Sequence, residues 1–324
     1  MNVLKSFNEL KNTPSGQAYT ALPLINREDV LLGINYENRP CLFVLSVGRS
    51  LTPMRSTKIA FLPHEKFDVA IVGQPTRQNM LDMLSCESSD EDDINSFLSL
   101  VEAFLITITD AAMIDGNLLA QFFKTMVGLF ELPRDRDLTT ARQGLWGELF
   151  TMSQVRGFQF WAPFWHQEVT RLFDFSSAGR RVEIKTTTSQ QRIHNFSHRQ
   201  IFPSRTDELM VASLMLREDD NGLSLRDLIQ DAKNALIQTG HYMKLEIAIR
   251  RTGMEHQTEI GPMYDADAAA ESLSWFRAEN APHFQLPEPA GVSETRYKVD
   301  LSTVQQVSVH DVEEWLDSWP ALVG

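Results

Sequence analysis

Residues 171–185, Arg-Leu-Phe-Asp-Phe-Ser-Ser-Ala-Gly-Arg-Arg-Val-Glu-Ile-Lys, constrain what this chain can fold into more than any other stretch. They read as a β-hairpin that carries acids. Residues 172–175 supply one short apolar strand with Asp174 in it, residues 176–179 supply turn formers, and residues 182–186 supply a second, β-branched strand. Side chains alternate faces along a strand, so Glu183 and Lys185 project to one side and Ile184 to the other, into a core. Two carboxylates and an ammonium can then converge on one small volume.

An acid two residues before a lysine is a weak signal by itself. At ordinary residue frequencies a chain of 324 residues holds on the order of two such spellings by chance. Asp231-Ala232-Lys233 is a decoy of this kind, since it lies in a predicted helix where a two-residue step turns side chains to nearly opposite faces. The hairpin differs because other features accompany it. A helix expected over residues 138–155, with Thr139 and Thr140 as caps and Gly157 as its stop, carries Glu148 beside the apolar Leu145 and Leu149. An acid beside an apolar stripe needs a partner, and Arg142 is a nearby cation. Gly144 and Gly147 each cost the helix about 1 kcal/mol relative to Ala, which points to close backbone packing, with the hairpin as the natural neighbour. Between residues 176 and 205, Arg180, Arg181, Lys185, Arg192, Arg199 and Arg205 surround the single acid Glu183.

Residues 1–80 read as β-rich, with strands at 30–36, 41–47, 58–62 and 67–72 that would make a small sheet or barrel. The acids of residues 87–93 have the charge of a DNA mimic or a metal trap, but the favoured expectation is a solvated loop ending at the positive terminus of a helix beginning near Ile94. Helical periodicity continues through Leu98, Val101, Phe104 and Leu105 and again over 117–130, until Pro133. Glu102, Asp110 and Asp115 interrupt this apolar region, so it reads as a buried helix pair and not a membrane span. Further on, the pattern predicts a strand at 209–216, a helix at 224–239 capped by Ser224 and a strand at 242–250. A helix at 265–279, a proline-rich connector, a strand near 297–307 and a terminal helix at 310–319 complete the chain. His194 and His198 have a zinc-compatible spacing only on a helix, and Asn195-Phe196-Ser197 is a poor helix core.

Cys41 and Cys86 are too few for a disulfide framework or a thiolate zinc site, and no Gly-X-Ser-X-Gly elbow marks a serine hydrolase. The N-terminus lacks the apolar segment of a signal peptide. With 43% apolar and 23% charged residues the chain reads as an ordinary soluble globular protein, and its two cysteines make a reducing cytoplasm the expected home. The formal net charge of −13 runs against nucleic-acid binding by the whole surface, but a basic cleft can focus field locally.

Together Glu148, Asp174, Glu183 and Lys185 form the constellation that cutting a phosphodiester requires. Carboxylate oxygens suit Mg²⁺ or Mn²⁺, which keep several waters and take phosphate oxygens as further ligands. Such an ion makes water more acidic and neutralises charge on the phosphate, while a lysine beside it orients or helps deprotonate that water. Gly-Glu-Leu at 147–149 in a helix, Phe-Asp-Phe at 173–175 and Val-Glu-Ile-Lys-Thr-Thr at 182–187 resemble the PD-(D/E)XK restriction-endonuclease-like superfamily. Within it, the likeness is to the bacterial PD-(D/E)XK motif proteins found beside restriction and antiphage defence genes. Phe173 stands where the literal motif has proline.

The resemblance implies an α/β (α+β) fold: a restriction-endonuclease-like core of a mixed central sheet flanked by helices, with a β-rich N-terminal module and a C-terminal extension. The expected domains are a β-rich module over 1–80, a helical connector over 81–135, the nuclease core over 136–252 and an α/β extension over 253–324. It implies that Asp174, Glu183 and Glu148 hold the metal, that Lys185 is the catalytic lysine, and that Gln200 matches a glutamine some members place near the site. Arg180, Arg181, Arg192, His198, Arg199 and Gln200 are the candidate DNA contacts. The expected activity is metal-dependent endonucleolytic cleavage of DNA as the effector of a restriction or antiphage system. The implied partners are DNA, an ATPase or helicase and a methyltransferase of the same operon, and a second copy of the chain; no membrane is implied. The rival expectation is a catalytically degenerate scaffold or DNA-binding subunit in which the same residues form only an ion-pair network.

Overall fold

Some segments of the chain are apolar without alternation, and the structure gives the reason: both faces of those strands are covered. The structure, a computed structural model, describes residues 2–13, 19–24, 27–48, 51–109, 111, 113–133, 137–166, 172–202, 208–255 and 261–319. Arg171, Asp110 and Arg205 lie outside them. The chain divides into two units, Met1–Arg136 with Ile237–Glu246, and Asp137–Leu236 with Ile247–Gly324.

The first unit begins with helix α1 (Val3–Lys11), followed by strands β1 (Tyr19–Leu24), β2 (Arg27–Ile34), β3 (Pro40–Val44), β4 (Met54–Arg55), β5 (Ile59–Ile71) and β6 (Arg77–Cys86) and helices α2 (Glu91–Thr107) and α3 (Gly116–Phe130). The strands pair in the order β1-β2-β3-β6-β5-β4, and a parallel pairing of β1 with β5 closes them into a barrel. Closure leaves the two-residue β4 as a short edge in place of long ones that would otherwise template pairing with other chains. Phe43, Phe67, Val69, Leu81 and Met83 share one buried cluster, with Tyr19 edge-on to Phe43 and Phe67. Alternate residues of the same strands, such as Leu32, Leu42, Phe61 and Leu84, pack with Phe7, Phe97, Phe104 and Met126 of the helices. All five residues of β3 are therefore buried.

Three expectations change here. The N-terminus is helical because Val3, Phe7 and Leu10 recur at helical spacing and Asn2 caps Lys5 N. The strands expected at 58–62 and 67–72 are one strand, β5, with a register shift between Leu62 and Glu65, where His64 takes φ 53°. The acids of residues 87–93 are not wholly a solvated loop: Asp90 caps α2, which begins at Glu91, and Asp93 in its first turn is buried against Lys58 at 3.0 Å.

The second unit holds α4 (Thr139–Gln154), α5 (Phe158–Trp161), β7 (Phe175–Ser177), β8 (Arg180–Thr187), β9 (Ile193–Ser197), α6 (His198–Ile201), β10 (Glu208–Met215), β11 (Glu218–Ser224) and α7 (Leu225–Leu236). After α8 (Tyr242–Arg251), which begins in the first unit, come β12 (Met263–Tyr264), α9 (Ala266–Ser272), β13 (Ser274–Arg277), β14 (Arg296–Asp300) and α10 (Val309–Asp317). A mixed sheet of order β13-β10-β8-β7 lies at its centre. β8 and β10 run parallel, while β7 and β13 are antiparallel to their neighbours. β9 pairs with β14, and β11 with β12. This is the mixed α+β fold expected.

The strand expected at residues 242–250 is helix α8 instead. Tyr242, Leu245, Glu246 and Ile249 are buried at helical spacing, and the Tyr242 hydroxyl donates to Glu246 Oε1, one turn on, at 3.0 Å. The helix expected over 265–279 stops at Ser272, because Trp275 and Phe276 pair with Ala212 and Val211 as strand β13. His194 and His198 fall on β9 and α6, not on one helix. Among the described residues no helix is long and apolar enough to cross a membrane.

Candidate active site

α4 and β8 meet at Gly147. A Cβ there would overlap Thr186 Cγ2 and lie 3.5 Å from Ile184 Cγ2, so only glycine lets the helix seat on the strand. Gly144 meets nothing within 4 Å, so the packing requirement belongs to Gly147 alone. Gln143 Nε2 donates to Thr186 Oγ1 at 3.1 Å and anchors the same seat. With Ile184 and Thr186 turned to the helix, Glu183 and Lys185 point to the opposite face.

The hairpin turn is Ala178-Gly179, both at positive φ (42° and 86°), as a two-residue type I′ connection demands. β7 starts at Phe175, so Asp174 sits just before the strand and, by extension of the pairing of Phe175 with Val182, opposite Glu183. Its Oδ2 accepts from Ile184 N at 2.7 Å. Lys185 Nζ and Gln200 Nε2 both lie 2.6 Å from Glu183 Oε1. Gln200 also donates to Leu172 O, while its Oε1 accepts from Ser197 N in a capping box that fixes the side chain. Glu183 is 4% exposed, and its Oε2 is buried with no hydrogen-bond partner among the described residues. Lys185 stands over the Phe196 ring at 5.0 Å.

Burial pushes the Glu183 carboxyl up to about 8; the neighbouring Asp174 adds to the rise and Lys185 opposes it only in part. Burial also raises Asp174, against the Ile184 N–H and the Lys185 charge. Burial by itself would lower the Lys185 ammonium, yet Glu183, Asp174 and Glu148 together hold it above its ordinary value. Burial and the mutual repulsion of two adjacent carboxyls thus make the charged form of each costly, and Lys185 offsets this only in part.

Glu148 does not pair with Arg142, whose Nε donates to Thr252 O at 2.8 Å. Its Oε2 instead accepts from the indole of Trp165 at 2.6 Å. Of the expected DNA contacts, Gln200 is in the site. Arg181 shares the face of Glu183 and lines a cavity of about 420 Å³ with His166, Phe173 and Ser176, and Arg199 is exposed on α6. The expectation does not hold for Arg192 and His198. Arg192, 9% exposed, donates to Ser213 and Ser272 carbonyls, and His198, 4% exposed, bonds the Tyr297 hydroxyl and stacks on Phe202. Arg180 lies at the far end of β8 against Ser318, Glu208 and Trp315. Sequence reasoning missed Trp165, whose isolated bridge to Phe175 no local pattern announces. It also missed Ser213, paired across the sheet with Lys185 and bonded to His194 Nε2 at 2.6 Å. Burial, then the nearby Lys185 and Arg192, lower the His194 ring to about 4, so it is neutral.

Among the described residues no three His, Cys, Asp or Glu side chains group to hold a metal ion. Asp174 and Glu183 nonetheless fit Mg²⁺ or Mn²⁺, because a cation of this kind needs only one or two carboxylates besides water and phosphate, and Glu183 Oε2 is a hard acceptor with no donor among the described residues.

The profile of a family described as "Putative PD-(D/E)XK family member, (DUF4420)" matches residues 3–302. The chain belongs to this family. The match runs from α1 to just past β14, so membership extends over both units and far beyond the hairpin. No curated protein and no solved structure matches the chain.

Proposed function

We propose that the chain is a metal-dependent nuclease that hydrolyses phosphodiester bonds in DNA, with Asp174 and Glu183 as the residues that hold Mg²⁺ or Mn²⁺. The observation that carries this reading is the Glu183 carboxylate: one oxygen held by Lys185 and Gln200, the other buried with no donor among the described residues. Such an ion supplies a Lewis acid for phosphate oxygens and a more acidic water. The chain's own groups do the rest. Ile184 N–H fixes Asp174, Gln200 fixes Glu183, and Lys185, kept as an ammonium at neutral pH, donates to a phosphate oxygen and holds the attacking water in line. Arg181 and Arg199 suit contacts to flanking phosphates. The net charge of −13 favours delivery of DNA by a partner, and an ATPase or helicase and a methyltransferase of a bacterial defence operon fit that role.

The same ion-pair network would also serve a non-catalytic scaffold, which the close Lys185–Glu183 pair favours. Incubation of the protein with DNA and Mg²⁺ or Mn²⁺, beside Asp174→Ala and Lys185→Ala, separates the two. Cleavage by wild type and loss in both variants is expected. Equal cleavage by all three sinks the assignment, and no cleavage by any, with metal and partners present, favours the scaffold.

A further inference from the structure

Glu148 and Asp174 come from different elements, yet one dipeptide holds both. Trp165 Nε1 donates to Glu148 Oε2 at 2.6 Å, and the next residue, His166, donates its backbone N–H to Asp174 O at 2.8 Å. Ser176 N donates in turn to Phe164 O at 3.1 Å, and Trp165 bridges Phe175, so residues 164–166 run along the outer edge of β7 as a short added strand. The indole is fully buried. A tryptophan N–H can only donate, so its partner must be an acceptor, and a carboxylate is the strongest available. Trp165 therefore does two things at once: its backbone is part of the hairpin edge that sets Asp174, and its side chain holds one carboxylate oxygen of Glu148.

We infer that Trp165 is a positioning residue of the metal site: it ties the α4 acid to the hairpin and thereby sets the reach of Glu148 toward an ion held by Asp174 and Glu183. This rests on the nuclease reading above. Groups that orient ligands from outside the coordination sphere cost roughly 10–100-fold in metal affinity or activity when removed. A phenylalanine in place of Trp165 keeps an aromatic body in the core and deletes the donor.

The test is Mn²⁺ binding by calorimetry without nucleic acid, on wild type, Trp165→Phe, Glu148→Gln and the double variant. Trp165→Phe should weaken Mn²⁺ binding roughly 10-fold or more. In the Glu148→Gln background the same change should cost little further, because both act through one carboxylate. Unchanged binding in Trp165→Phe overturns the inference, as does a loss of equal size in the Glu148→Gln background, which would mark a packing effect. Should Trp165→Phe fail to fold, the chain with Trp165 intact decides. One of its six indole N–H resonances should move on Glu148→Gln and again on Mg²⁺ addition, and an indole set indifferent to both overturns the inference. Wild type that binds Mn²⁺ in this pattern but never cleaves DNA sinks the nuclease reading and leaves Trp165 its role at the metal. Wild type that binds no Mn²⁺ sinks both.

Discussion

Two lysine–carboxylate pairs, one in each unit, look alike on paper and differ in what they leave open. In the barrel unit Asp93 is buried beside Lys58 at 3.0 Å, and its other oxygen takes the Ser88 hydroxyl at 2.8 Å. It also sits in the first turn of α2, where the helix dipole favours a negative charge. In the sheet unit Glu183 is buried beside Lys185 at 2.6 Å, but both of its donors fall on one oxygen. The first acid has a partner on each oxygen; the second has one oxygen without a hydrogen-bond partner among the described residues and a second carboxyl, Asp174, beside it. A pair that only stabilises is expected to satisfy its acceptors, and an open acceptor such as this is what the proposed cation would use.

That contrast can be broken by exchanging losses. Glu183→Gln and Lys185→Ala should each cut the initial rate of DNA cleavage by roughly 10²–10⁴-fold or more. Glu183→Gln should at the same time hold or raise the thermal midpoint of the metal-free protein at pH 9; a large fall would place Glu183 with Asp93 as a structural acid. Asp93→Asn should do the reverse, costing about 1–3 kcal/mol in urea unfolding while cleavage per folded molecule stays at the wild-type level. Gly147→Ala should cost about 1–3 kcal/mol through its clash with Thr186 and lower cleavage as β8 shifts, while Gly144→Ala, with open space around it, should be neutral or stabilising by up to about 1 kcal/mol.

The smallest effect is in pH. Glu183 rises from an ordinary 4.5 to about 8 on folding, so the folded state binds the proton more tightly. Its contribution to metal-free stability is full below 4.5 and is lost as pH rises through 8. A cation needs the deprotonated carboxylate, so the rise in thermal midpoint on adding Mg²⁺ should be larger at pH 9 than at pH 6. An equal rise at both would mean that Glu183 does not meet the ion.

Much of this was legible in the chain itself. The hairpin, the opposite faces of Glu183 and Ile184 and the helix bearing Glu148 follow from local period and residue type, whereas of the two glycines expected to pack closely only Gly147 does. The decoy at Asp231 likewise falls on a helix, α7. Local period misled where the same alternation suits two structures, at residues 242–250, and where a helix yields to a sheet partner, at Trp275.

The amino-acid order alone determined which residue types stand at strand and helix spacing, because those preferences act over a few neighbours. Only the tertiary structure decided that β1 meets β5, that Gln200 reaches Glu183, that Trp165 holds Glu148, and that Arg192 and His198 are buried. Each joins or covers residues far apart in sequence, and no local pattern records which distant partner a side chain finds once the backbone has folded.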